Sequence, residues 1–144
     1  MRITAVLCVV ALVACGRGSS VEGAWQSDRE VTLGELRQAN FTPEQWRFLS
    51  SPDVFGKLVY VFHHGSLVTV YDGECSEPEA YSVDRASGRV RLASEPGMPL
   101  TLEGGYLRAP IAQLPGKRET FSRIDLDAAV RRHPCVGSFV RSAR

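Results

Sequence analysis

Three times between residues 57 and 109 a short run rich in β-branched and aromatic residues meets a tight turn and is followed by a second such run. Residues 57–63 (KLVYVFH) and 67–72 flank His64-Gly65, residues 81–84 and 89–92 flank Arg85-Ala86-Ser87-Gly88, and residues 100–103 and 106–109 flank Gly104-Gly105. Short alternating runs joined by glycine-bearing turns are the mark of antiparallel hairpins. In the middle pair the period of two is clean, with Tyr81, Val83, Val90 and Leu92 on one face and charges and serine on the other. Residues 24–29 (AWQSDR) and 118–124 (RETFSRI) add a first and a last strand, which makes eight. An open meander leaves two edges of unpaired backbone donors and acceptors, and closure removes both. The expectation is therefore a mainly β chain: an eight-stranded antiparallel meander barrel. At that strand number the interior either just fills with side chains or holds one small ligand.

Helices interrupt this pattern at two places. Thr32-Leu33-Gly34-Glu35 and Thr42-Pro43-Glu44-Gln45 both have the capping-box form, in which threonine and the acidic or amide side chain satisfy each other's orphan backbone donors. Pro43 stands at the first helical position, where its missing N–H costs nothing. Two short helices, over residues 33–39 and 43–49, are thus expected between strands one and two. A third is expected over 126–132, after Asp125 as N-cap, with Leu126, Ala129 and Val130 on one face and a stop at Pro134.

The first fourteen residues, MRITAVLCVVALVA, place one cation before an apolar core and end on small residues, the order of a secretory signal. As a helix this stretch falls well short of the roughly 30 Å of a bilayer core. Leu12-Val13-Ala14-Cys15 resembles the lipobox of bacterial lipoproteins. The resemblance implies cleavage before Cys15, acylation of Cys15, and a chain held extracytoplasmically at a membrane, the outer membrane facing the periplasm in a Gram-negative cell, since Gly16 follows the cysteine. At roughly 0.8 kcal/mol per buried methylene, two or three acyl chains hold a small domain firmly. The organisation expected is a signal over 1–14, a lipidated small polar tether over 15–22, and one domain over 23–144.

Cleavage leaves 130 residues, enough for one modest core. It also leaves 16 basic against 16 acidic groups, with no clustered basic excess of the kind nucleic acid requires. With Cys8 removed and Cys15 acylated, Cys75 and Cys135 remain, and in an oxidising compartment they pair most simply with each other. The sharper alternative makes Cys75 a thiol nucleophile with His133 as its base.

Gly23-Ala24-Trp25 is similar to the G-x-W that opens the first strand of lipocalins and related calycins, and Arg123 lies in the last strand, where those families set an arginine over the tryptophan. The resemblance implies that Gly23, Trp25 and Arg123 close one end of a barrel through a cation–π contact of roughly 0.5–2 kcal/mol. It is also in keeping with a disulfide tying the C-terminal segment to the barrel. The paired helices after strand one look like the lid of fatty-acid-binding proteins.

Catalytic chemistry is not expected. The chain has no G-x-S-x-G, no H-E-x-x-H and no phosphate-cradling glycine loop. His63 and His64 are adjacent, so on a strand they would face opposite ways and not chelate one metal; Glu74, Glu77 and Glu79 read as a polar loop rim. No cofactor or metal is implied. Two functions remain. In one, the barrel takes a small apolar or lipid ligand, with Trp46, Phe48, Phe55, Tyr60, Phe62 and Tyr71 as the lining, since apolar and aromatic side chains dominate such pockets. In the other, the barrel is solid and its outer surface binds another protein, as small lysozyme-inhibitor lipoproteins do, or supports an envelope complex. Strand two is bulky on both faces, Leu58, Tyr60 and Phe62 against Val59 and Val61, and so leaves the choice open.

Overall fold

The computed structural model describes residues 20–143; the signal, Cys15 and most of the tether lie outside the described residues. Strands β1 (Gly23–Ser27), β2 (Val59–His63), β3 (Ser66–Tyr71), β4 (Glu74–Cys75), β5 (Glu79–Asp84), β6 (Arg89–Leu92), β7 (Leu100–Glu103), β8 (Tyr106–Pro110) and β9 (Arg118–Ile124) form one antiparallel sheet. Its order is β2-β1-β9-β8-β7-β6-β5-β3, and β3 pairs back onto β2, so eight strands close into a barrel. The two-residue β4 is an addition to the end of β3 that the sequence pattern did not announce. The closing seam sets Trp25 opposite Arg123 and Gln26 opposite Ser122. The turns form where expected, His64-Gly65 with φ of 49° and 79° and Gly104-Gly105 with φ of 60° and 82°. Two successive residues with positive φ twist a two-residue hairpin the way its strands twist.

Between β1 and β2 lie α1 (Arg29–Leu36) and α2 (Pro43–Leu49). In α2 the capping box is made: Thr42 Oγ accepts from Gln45 N–H at 3.2 Å and Gln45 Oε1 accepts from Thr42 N–H at 2.9 Å. The capping box expected at Thr32 is a correction. Asp28 caps α1 instead, accepting from Val31 N–H, so the helix begins four residues earlier than expected and Thr32 falls inside it. Thr32 Oγ instead accepts from Thr120 N–H at 3.0 Å and stitches the helix to β9.

After β9 come α3 (Leu126–Arg132), capped by Asp125, and a helix the sequence reading missed, α4 (Pro134–Ser142). Pro134 does end α3, but it also serves as the first residue of α4, the position at which proline is tolerated. The Cys75–Cys135 disulfide, with Cα atoms 6.0 Å apart, ties the start of α4 to β4.

Three cores follow from this layout. Trp25, Phe62, Leu67, Val90, Leu92, Leu100, Leu107, Ala109 and Phe121 come from strands all round the barrel and fill its interior, joined by Tyr60, Tyr81 and Leu102. Ala24, Val59, Val61, Val68 and Val70 point outward from β1 to β3 and are covered by Ala129, Val136 and Phe139 of α3 and α4. Strand two is thus bulky on both faces because both are buried, one in the barrel and one under helices. A third, smaller cluster of Leu33, Leu36, Leu49 and Phe55 holds α1 and α2 together, with Ile111 and Leu114 of the β8–β9 loop against it.

Candidate functional site

The two ends of the barrel are built differently. At one end the segment Ser20–Glu22 crosses the opening as a strap. Val21 is buried in the interior core, and its carbonyl accepts the Trp25 indole N–H at 2.8 Å. The Arg123 guanidinium lies over the Trp25 ring, 4.3 Å from its centroid, and donates to the Glu22 carbonyl at 2.6 Å and to the Ser20 carbonyl. The Glu22 carboxylate accepts from the Tyr81 hydroxyl and from His64 N–H. Burial, then the hydrogen bond to Glu22 and the Glu22 charge, hold the Tyr81 phenol well above its ordinary value. Gly23 is required here: its φ is +114°, and a Cβ would stand 2.9 Å from Arg123 Nη1. Gly23, Trp25 and Arg123 therefore meet at the closed end. Residues 21 and 22, expected in the tether, are instead part of the packed domain.

Outside the strap lies a cleft of about 790 Å³ between Ser20–Glu22, the β5–β6 hairpin and the β7–β8 hairpin, lined in part by Val83, Arg85, Ala86 and Leu102.

The opposite end, the mouth, carries α1 and α2. Ser27 Oγ accepts from Gly56 N–H at 2.8 Å and donates to the Glu119 carboxylate, which links the lid's return segment to β1 and β9. Glu119 pairs with Ala109, an interior residue, so its carboxyl points into the barrel. Burial raises its pKa above the ordinary carboxylate range, against the pull of the Ser27 hydrogen bond. Burial, with the charge of Glu119 behind it, likewise raises the Tyr60 phenol. On the outer wall Arg108 grips Glu35 of α1 at 2.7 and 2.8 Å and Thr120 at 2.9 Å. Partial burial pushes the Glu35 carboxyl up, but the hydrogen bonds from Arg108 and Thr120 outweigh it and leave the pKa lowered.

The six residues expected to line one ligand cavity do not come together. Tyr60 and Phe62 are interior, with ring centroids 4.9 Å from Phe121 and Tyr81 respectively. Phe55 is buried in the small cluster beneath the lid helices, and Trp46 packs partly buried against it. Phe48 and Tyr71 are 67 % and 53 % exposed, on α2 and at the end of β3. Residue type alone marks an aromatic as fit for a pocket but does not give its direction, and the lid's own core takes two of the six.

The Cys75 thiol is taken up in the disulfide, so no nucleophile is left for His133 to activate. His63 and His64 do not face opposite ways: their ring centroids are 4.2 Å apart. The cause is that His64 has left the strand and occupies the turn at positive φ. Among the described residues no group of three or more His, Cys, Asp or Glu stands close enough to hold a metal ion. No described helix is long and apolar enough to cross a membrane. The chain matches no protein-family model, no curated protein and no solved structure.

Proposed function

We propose that this chain is an exported lipoprotein, anchored through Cys15, whose lipocalin-like barrel works through its outer surface as a binding module for another protein of the cell envelope. One observation carries the choice of surface over cavity. The inward side chains, with Trp25 in the core and Tyr60, Phe62, Tyr81 and Phe121 linked ring to ring, occupy the middle of the barrel, and the open volume of about 790 Å³ lies at its rim, outside the strap. Protein interiors packed in this way leave few voids larger than a water molecule. Export is supported by the signal-like order of residues 1–14 and by the Cys75–Cys135 disulfide, a bond that persists in oxidising compartments. The Gly23, Trp25 and Arg123 arrangement supports the likeness to lipocalins and their relatives.

Native mass spectrometry of the full chain, purified from membranes in mild detergent before and after organic extraction, tests the choice. The expected result is one mass throughout, that of the acylated polypeptide from Cys15 onward. A small apolar molecule that extraction removes would overturn the packed-barrel reading and make the domain a lipid carrier. The anchor has its own test: Cys15→Ser is expected to move the protein from the membrane fraction to the soluble one.

A further inference from the structure

Resting on the anchoring reading above, we infer that the closed end of the barrel is a membrane-contact surface, with Val83 and Arg85 at the β5–β6 hairpin set against anionic phospholipid headgroups. Reach limits the orientation. Cys15 stands five residues before Ser20, a separation of at most about 18 Å even when fully extended. A compact body of 124 residues has a radius of gyration of about 14 Å and is therefore roughly 35 Å across. The tether is too short to carry the far end of the domain to the bilayer.

The exit point cannot wander. Arg123 holds two carbonyls of the strap, Val21 is buried, and the Glu22 carboxylate is engaged by Tyr81 and His64, so the chain leaves the domain at the closed end in one place.

Charge favours the same face. The carboxylates near this end are tied to the protein's own groups, Glu103 by ion pairs and Glu22 and Asp84 by neutral donors that leave the charge in place, while Arg85 and Arg89 of the β5–β6 hairpin and Arg123 of β9 supply the cations. Glu22 is held as just described, Asp84 accepts from Ser87 Oγ and Ala86 N–H, and Glu103 is paired with Arg108 and Arg118. Among the described residues Arg85 has no ion-pair partner, and Val83 beside it is 40 % exposed. A cation next to an exposed aliphatic suits the interface between headgroup and acyl chain, where each basic residue contributes about 1 kcal/mol near an anionic surface.

The test uses the full acylated chain in phosphatidylcholine vesicles containing phosphatidylglycerol, with an environment-sensitive fluorophore on Val83→Cys or on Phe48→Cys and bromine on the lipid chains as quencher. Both sites are exposed, so labelling leaves the core intact. Quenching at position 83 is expected to exceed that at position 48 at least threefold. A flexible insertion of ten residues after Gly16 is expected to bring the two toward equality. Equal quenching in the native-length chain, or a difference that survives the insertion, overturns the tethered orientation while the protein still floats with vesicles. Failure to float overturns the anchoring reading, and this one with it.

Discussion

The closed end and the mouth of this barrel are sealed by opposite means. At the closed end a few side chains each make several long-range contacts: Arg123 alone touches the Trp25 ring and two carbonyls about a hundred residues away in sequence. At the mouth, two short helices rest on a cluster of their own, fixed to the barrel by the Ser27, Gly56 and Glu119 hydrogen bonds and by Arg108 on Glu35. The first seal is part of the barrel core and shares its cooperativity. The second has an apolar core of its own and is joined to the barrel wall mainly by polar contacts, Thr32 and Glu35 with Thr120 and Arg108 among them; a segment of that kind can open below the global unfolding free energy.

This contrast is open to attack by substitution. Trp25→Ala is expected to have the largest effect, about 3–5 kcal/mol of global stability, because a large void is left where three groups converge; chemical denaturation measures it. Leu36→Ala removes a buried side chain from the lid cluster at a cost of about 2 kcal/mol, the low end for such a truncation because the helices can settle into the gap. Its loss is expected in the amide exchange of α1 and α2, with exchange in β1 and β9 unchanged; uniform acceleration in all four would erase the distinction between the ends. Arg123→Ala is expected to cost roughly 0.5–2 kcal/mol from the cation–π contact alone, and to expose the Ser20–Glu22 strap to proteolysis.

The smallest effect belongs to Glu119. Its folded pKa is raised, so the stability tied to its protonated form is fully present below the unfolded value of about 4.3 and is lost as pH rises through the folded value. Glu119→Gln keeps an acceptor for Ser27 and cannot ionise. Melting temperatures of the two forms are expected to coincide at pH 4 and to diverge above it, with the variant higher; the reverse order would show that the carboxylate stabilises the mouth.

Much of the frame was legible beforehand. The hairpins announced themselves because His64-Gly65 and Gly104-Gly105 are residue pairs that accept positive φ, and the Tyr81, Val83, Val90 and Leu92 face followed from alternation. The meeting of Gly23, Trp25 and Arg123 was expected only through the resemblance to lipocalins; the register that sets Trp25 opposite Arg123 is a property of the closed sheet that residue types alone do not give. What failed did so for physical reasons. Thr32 has the form of a cap, but Asp28, four residues upstream, offers a carboxylate to the helix first and leaves Thr32 to bond β9. Helix α4 is hidden in PCVGSFVRS, where glycine and β-branched residues give little helical preference. It forms because Val136 and Phe139 cover the outward valines of β2 and β3. The directions of the aromatics were not legible, because direction depends on which core, barrel or lid, is nearer.

The seam between β1 and β9 also fixes an order of events. The first strand of the domain can be hydrogen-bonded on its second edge only when β9, nearly a hundred residues further along, has arrived, and the helices that cover Val59, Val61, Val68 and Val70 come later still. Until then a growing chain displays an unsealed sheet with an apolar outer face, the situation most open to wrong pairing with other chains. Loss of the final twenty residues would therefore trim little from the barrel itself yet leave it permanently in its unfinished, self-associating form.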